Sequence, residues 1–199
     1  MKKFIAIAVL VITASFQNAY CQQADYFSIQ YAVSFGTGDL GDFISKPSFR
    51  GGLLEYRKAV KDNLLVGVDA GWNVLYEKKD YDSYTAGTET LSGIQYRTQN
   101  EIPLLIAADY FFSVDQPFKP YGGLGIGTLY SERTTDMGTW RIEENPWHFA
   151  LKPEVGFLYE ISYSTSFKLA AKYYHGFQAG ELSEPQGYIS ISTGIAIHL

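Results

Sequence analysis

Residues 187–199, GYISISTGIAIHL, alternate without a break. Ile189, Ile191, Thr193, Ile195, Ile197 and Leu199 fall on one face, and Tyr188, Ser190, Ser192, Gly194, Ala196 and His198 on the other. Period-two alternation marks a strand with one apolar and one small or polar face. At the end of a chain such a strand leaves an apolar edge open to other chains unless something pairs with it. Closing a sheet into a barrel removes the edge, so the last strand is expected to pair with the first.

The same alternation recurs along the chain. Eight strands are predicted, at 26–35, 49–58, 64–76, 93–112, 119–130, 147–160, 166–177 and 187–199. The connections sort by length: long at 36–47, 77–92, 131–146 and 178–186, short at 60–63, 113–118 and 163–164. No helical period of any length, linker or low-complexity tract interrupts the series. Short turns at one end, long loops at the other and an even strand count describe an all-β fold, an eight-stranded antiparallel up-and-down transmembrane β-barrel with short periplasmic turns and long extracellular loops.

Charge decides which face looks inward. Glu55, Arg57, Asp69, Arg97, Glu101, Asp109, Lys152, Glu154, Lys168 and Lys172 share the faces opposite the aliphatic and aromatic residues. A water-soluble barrel needs the reverse, an apolar interior and a polar skin. In lipid, each charge on the outer face would cost roughly 2–4 kcal/mol at mid-depth. These ten residues are therefore expected to form a lumen network, paired because isolated buried charges are too costly. An eight-stranded barrel is just wide enough for side chains to fill, so a polar plug is expected rather than a large pore. Gly123, Gly125 and Gly127 alternate within one strand. They read as space for long Arg and Lys side chains, not as a nucleotide-binding turn.

Aromatics gather where the strands would meet headgroups. Trp72, Tyr76, Tyr96, Tyr130 and Trp147 sit toward the long-loop ends, and Tyr56, Tyr110, Phe112, Tyr159 and Phe167 toward the short turns. Amphipathic rings prefer that interface.

The first residues read as an export signal. Met1-Lys2-Lys3 is basic, 4–16 is apolar but too short to cross a bilayer, and Ala19-Tyr20-Cys21 fits a small-x-small cleavage site. The mature chain is expected to run from Gln22 as a single domain, 22–199. The rival reading, a lipidated Cys21, is opposed by bulky Tyr20. Cys21 is the sole cysteine, so its removal excludes disulfides, iron–sulfur ligation and thiol catalysis. A net charge of −5 points away from nucleic acid.

Several stretches resemble the outer-membrane β-barrel domain family, the small porin-like eight-stranded barrels of the bacterial outer membrane. They are Asn100-Glu101-Ile102-Pro103-Leu104-Leu105, Pro117-Phe118-Lys119-Pro120-Tyr121-Gly122-Gly123-Leu124-Gly125-Ile126-Gly127, Lys152-Pro153-Glu154-Val155-Gly156 and the terminal run from Thr193 to Leu199. In that run Gly194, Ile197 and Leu199 resemble the family's assembly signal, although Leu199 stands where the family usually ends on an aromatic residue. The resemblance implies an outer-membrane address and handling by the barrel-assembly machinery.

Signs of chemistry are sparse. Outer-membrane lipid deacylases carry a His-x-Ser pair near the end of a similar barrel; here the run is His175-Gly176-Phe177, without the nucleophile. Glu181, Ser183 and Glu184 are near in sequence, but a triad needs hydrogen-bond reach. His148 and His198 read as rim residues. Asp80 and Asp82 lack the full ligand spacing of a calcium loop. No enzyme, cofactor or metal is expected. Three readings follow: a structural or surface-interaction barrel whose loops meet an unidentified extracellular ligand, a narrow conduit for small solutes, and a lipid A-modifying enzyme at the outer rim. Outer-membrane lipid is the expected surrounding, and a monomer the expected state.

Overall fold

The computed structural model describes residues 24–86, 89–179 and 184–199, with the side chains of 85–91 left out. The proposed signal and its cleavage site lie outside these residues. The elements in order are β1 (Tyr26–Thr37), α1 (Asp39–Phe43), β2 (Ser48–Lys61), β3 (Leu64–Ala86), β4 (Glu89–Phe111), β5 (Phe118–Met137), β6 (Trp140–Glu144), β7 (Trp147–Ser162), β8 (Thr165–Gly176) and β9 (Gln186–His198).

Every strand pairs antiparallel with its neighbour, and the sheet closes on itself. β4 pairs with both β3 and β5, while β9 pairs with β1. The last ladder runs from Tyr26↔His198 to Thr37↔Gly187 without a shift. The amide of Leu199 then reaches the Asp25 carbonyl at 2.9 Å. Eight strands form the barrel; β6 continues the edge of β5 beyond its pairing with β7.

The faces separate as the alternation requires. Ile189, Ile191, Ile195, Ile197 and Leu199 are exposed, while Tyr188, Ser190, Ser192 and Ala196 are buried. On β1, Ile29 and Tyr31 point out, while Ser28, Gln30, Ala32 and Ser34 point in. The apolar skin continues through Leu54, Val68, Leu104, Ile106, Leu124, Ile126 and Val155.

Two of the expected long loops are largely strand. β3 continues to Ala86 and β4 begins at Glu89, so 77–92 is the upper part of a hairpin. Likewise 131–146 holds the end of β5, a turn at Gly138 with φ of 60°, and β6. Beyond the apolar rows both faces of a hairpin meet water. Alternation then stops while backbone pairing goes on, and Tyr- and Thr-rich segments such as 81–85 keep strand geometry. The expected loop 36–47 contains α1, and 178–186 ends in the first residue of β9, with 180–183 outside the described residues. The connections at the other end, after β2, β4 and β7, are short.

Candidate functional site: a sealed ionic lumen

Each strand supplies the lumen with every second side chain, and three layers result. At the hairpin end Leu75, Leu105, Leu129, Ala150, Tyr174 and Tyr188 pack with Leu40 and Ile44 of the α1 segment. At the short-turn end Tyr26, Leu65, Phe111, Tyr121, Leu158, Ala170 and Ala196 pack together. Between them on β3, β4 and β7 stand Asp69, Asp109, Lys152 and Glu154, with β2 and β8 adding Glu55, Arg57, Lys168 and Lys172.

Those eight side chains form one network of four acids and four bases. Arg57 bridges Asp69 and Asp109, the latter at 2.8 Å, and lies 3.5 Å from Glu154. Lys152 joins Asp69 to Glu154, the second contact at 2.8 Å. Glu55 receives both Lys168 and Lys172, and Lys172 lies 3.6 Å from Glu154. Neutral groups take up more of the hydrogen-bonding capacity. Lys168 donates to the Tyr26 hydroxyl at 3.2 Å, and Ser28 donates to Glu55 at 3.3 Å. The Lys168 ammonium also lies 4.9 Å from the Tyr121 ring centre. Burying so many charges is tolerable only because each meets an opposite one; an unpaired member would cost several kcal/mol, on the order of the whole stability of a domain.

The remaining two residues assigned to the network lie apart from it. Arg97 is half-buried at the hairpin rim, where it donates to the Phe43 carbonyl at 2.9 Å and to Gln95 at 2.7 Å. At that height α1 fills the lumen, so Arg97 meets the segment and not the acids. Glu101 is fully buried but accepts hydrogen bonds from Gln99 at 2.6 Å and Ser131 at 2.7 Å, with no ion pair among the described residues. The Leu105 layer separates it from Asp109 along β4.

The alternating glycines do make room, but not chiefly for Arg and Lys. A Cβ at Gly123 would strike the Asp109 and Glu154 carboxylates, and one at Gly125 would lie 3.0 Å from Lys152 Cε. At Gly127 the obstacle is β4 itself, with Leu105 Cα at 2.9 Å. Gly194 is tighter still against β1, since a Cβ there would meet Gln30 Cα at 2.6 Å. Ile197 on the same strand and Leu199 just beyond it are exposed.

The α1 segment is the feature the sequence reading passed over. Leu40, Phe43 and Ile44 have i, i+3, i+4 spacing, the one available signal. Leu40 and Ile44 are buried in the upper layer, and the Phe43 ring lies between the guanidinium groups of Arg97 at 4.9 Å and Arg133 at 4.3 Å. Ser45 fixes the exit, its amide donating to Glu77 at 2.7 Å. Gly36 and Gly41 let the segment lie against β1, because a Cβ on either would crowd the other's backbone at 3.0 and 2.8 Å. Arg133 extends the polar rim by donating to Gln99 at 2.9 Å and Gln186 at 3.1 Å.

The girdle residues all face outward: Trp72, Tyr76, Tyr96, Tyr110, Trp147 and Tyr159 are exposed, Tyr56 and Tyr130 half so. Tyr130 and Trp147 rings meet at 5.0 Å. Phe112 and Phe167 are exposed near the short turns.

The histidines assemble no triad among the described residues. His175 packs on the outside against the Phe177 ring at 4.7 Å. His148 is buried, with Nδ1 at 2.8 Å from the Phe177 carbonyl. A serine and a histidine do meet, at the opposite end from the one expected: Ser166 Oγ lies 2.7 Å from His198 Nε2. That serine is fully buried, and among the described residues no hydrogen bond joins a carboxylate to His198. Glu181 and Ser183 lie outside the described residues, and Glu184 lies 3.7 Å from Arg133. The Asp82 carboxylate accepts from the Ser83 amide, while Asp80 uses its carbonyl to accept from Tyr84. Glu55, Asp69 and Glu154 bring carboxylate oxygens within 4.8 Å of one another, but lysine ammonium groups already sit among them.

No protein-family model and no curated protein matches the chain. Several solved structures share its shape. Neisserial surface protein A (NspA) superposes with a TM-score of 0.59 at 14% identity, over 89% of this chain and 98% of that one. The outer membrane protein OprG from Pseudomonas aeruginosa gives 0.53 at 14%, over 90% and 99%. Ail, the attachment invasion locus protein of Yersinia pestis, gives 0.50 at 13%, over 87% and 99%. The chain is thus a closed eight-stranded antiparallel barrel of the kind these outer-membrane proteins adopt, and at such identities the likeness is one of fold.

Proposed function

We propose that the protein is an integral barrel of the bacterial outer membrane with a structural or surface-interaction role, its hairpin end facing outward and its short turns facing the periplasm. One observation carries this: a continuous apolar skin surrounds a matched ionic layer. In water that skin would be a large exposed apolar surface, a liability for a soluble monomer. In a bilayer it is the required exterior, and closure leaves no unsatisfied backbone edge. A chain of this fold would arrive by export and rely on the barrel-assembly machinery.

The conduit reading is disfavoured because apolar layers cap the ions at both ends. The lower layer consists of strand residues held by the ladder, so even displacement of α1 leaves a blind chamber. Among the described residues the rim-enzyme reading lacks a hydrogen-bonded nucleophile at His175. The surface role rests on the two hairpins and α1, since loops and tips carry recognition on a rigid scaffold.

Two measurements on the full chain test the proposal. Fractionation should place the protein with the outer membrane, and planar-bilayer recording should give no stable large conductance. Recovery from the aqueous fraction without detergent would overturn the placement; steady conductance would overturn the closed lumen.

A further inference from the structure

Two cations near the hairpin end lie over outward-facing tyrosine rings. Arg50 on β2 and Lys78 on β3 are exposed on the outer skin. The Arg50 guanidinium lies over the Tyr76 ring at 5.9 Å, and the Lys78 ammonium over the Tyr96 ring at 5.9 Å. Two acids on β5 are engaged elsewhere. Glu132 accepts from Asn100 at 3.0 Å, and Asp136 lies 3.7 Å from Arg141. Among the described residues neither Arg50 nor Lys78 makes an ion pair.

Register sets their height. Gly51 pairs with Asn73, and Val74 with Asn100. Arg50 therefore stands level with Val74 and Asn100, and Asn100 accepts from the Nε1 of the girdle ring Trp72 at 3.2 Å. Lys78 lies further along β3, roughly 13 Å away at strand rise. A cation laid over a girdle ring gains from the ring's negative face while its charge stays free to meet an anion. At that depth a leaflet offers phosphate.

We propose that Arg50 and Lys78, seated on Tyr76 and Tyr96, bind the phosphate groups of an anionic lipid headgroup in the leaflet around the hairpin end. The site rests on the membrane reading above and deepens it by naming the lipid chemistry this rim selects. The two cations are far enough apart to engage separate phosphates, so a headgroup carrying two is held better than one carrying a single charge.

The test compares the full-length wild type with Arg50→Gln, Lys78→Gln and the double variant in phosphatidylcholine nanodiscs doped with diphosphorylated lipid A. Native mass spectrometry after transfer to detergent reads the lipid retained per barrel. Each cation near an anionic surface is worth about fivefold, so the double variant should retain lipid A about twenty-five-fold less, with phosphatidylcholine retention unchanged. Equal retention would overturn the site. An equal loss in Arg141→Gln would also overturn it, because Arg141 on β6 already faces Asp136 and Glu143 and the effect would then be net charge. Failure of the wild type to insert would sink the membrane reading and the site together; insertion with equal retention would sink the site alone.

Discussion

Lys168 on β8 crosses the lumen to the carboxylate of Glu55 on β2, which also holds Lys172. Glu55 is therefore the acid whose loss strands two buried ammonium groups. Glu55→Gln should lower stability by about 3–5 kcal/mol, as expected when one partner of a buried pair is removed. Lys172→Met should cost less, because Glu55 keeps Lys168 and Glu154 keeps Lys152. Urea unfolding in lipid vesicles orders the two; equal losses would contradict the pairing described.

Closure of the barrel depends on a position without a side chain. Gly194 faces the β1 backbone so closely that any Cβ must displace it, whereas a Cβ at Gly52 meets nothing within 4 Å. Gly194→Val should block the β1–β9 ladder and abolish the compact form that migrates fast on unheated gels. Gly52→Val should fold with a stability change within about 0.5 kcal/mol. Similar folding yields for both would mean the last strand does not seat against the first as found.

Besides the buried Leu40 and Ile44, the α1 segment is held by contacts at Phe43 and Ser45 that can be removed while the β1–β9 ladder stays in place. Phe43→Ala takes the ring from between Arg97 and Arg133, and Glu77→Ala removes the acceptor of Ser45. Both should speed amide exchange across 39–45 while the β1–β9 amides keep their protection, since local opening is set by local contacts. Loss of protection across the whole barrel would show that α1 is integral to the fold.

Strand positions and faces are legible because an apolar exterior and an ionic interior enforce the same two-residue period, so Glu55, Asp69 and Lys152 announce their direction by parity alone. Parity says nothing about height along the axis. Arg97 and Glu101 point inward as expected, yet one meets α1 and the other Gln99 and Ser131, since pairing depends on strand stagger. The upper hairpins escaped notice for the opposite reason: around Tyr81 and Ser92 water lies on both faces, and no alternation is imposed. The α1 stopper is hidden by length, a single helical turn with a glycine inside it offering too short a period to count.

The three tryptophans give a direct check on which surface meets lipid. Trp72 is 60% exposed, Trp147 56% and Trp140 58%, so exposure to solvent cannot tell them apart. Position can. Trp72 and Trp147 lie in the girdle, Trp147 against Tyr130, while Trp140 opens β6 beyond the barrel rim. In vesicles of lipid brominated near the headgroup, single-tryptophan variants retaining Trp72 or Trp147 should be strongly quenched, and the variant retaining Trp140 should not. Iodide added to the water should quench in the reverse order, because the hairpin tip stands in solvent. If all three responded alike to both quenchers, the girdle would not lie at a membrane interface, and the apolar skin would need another cover.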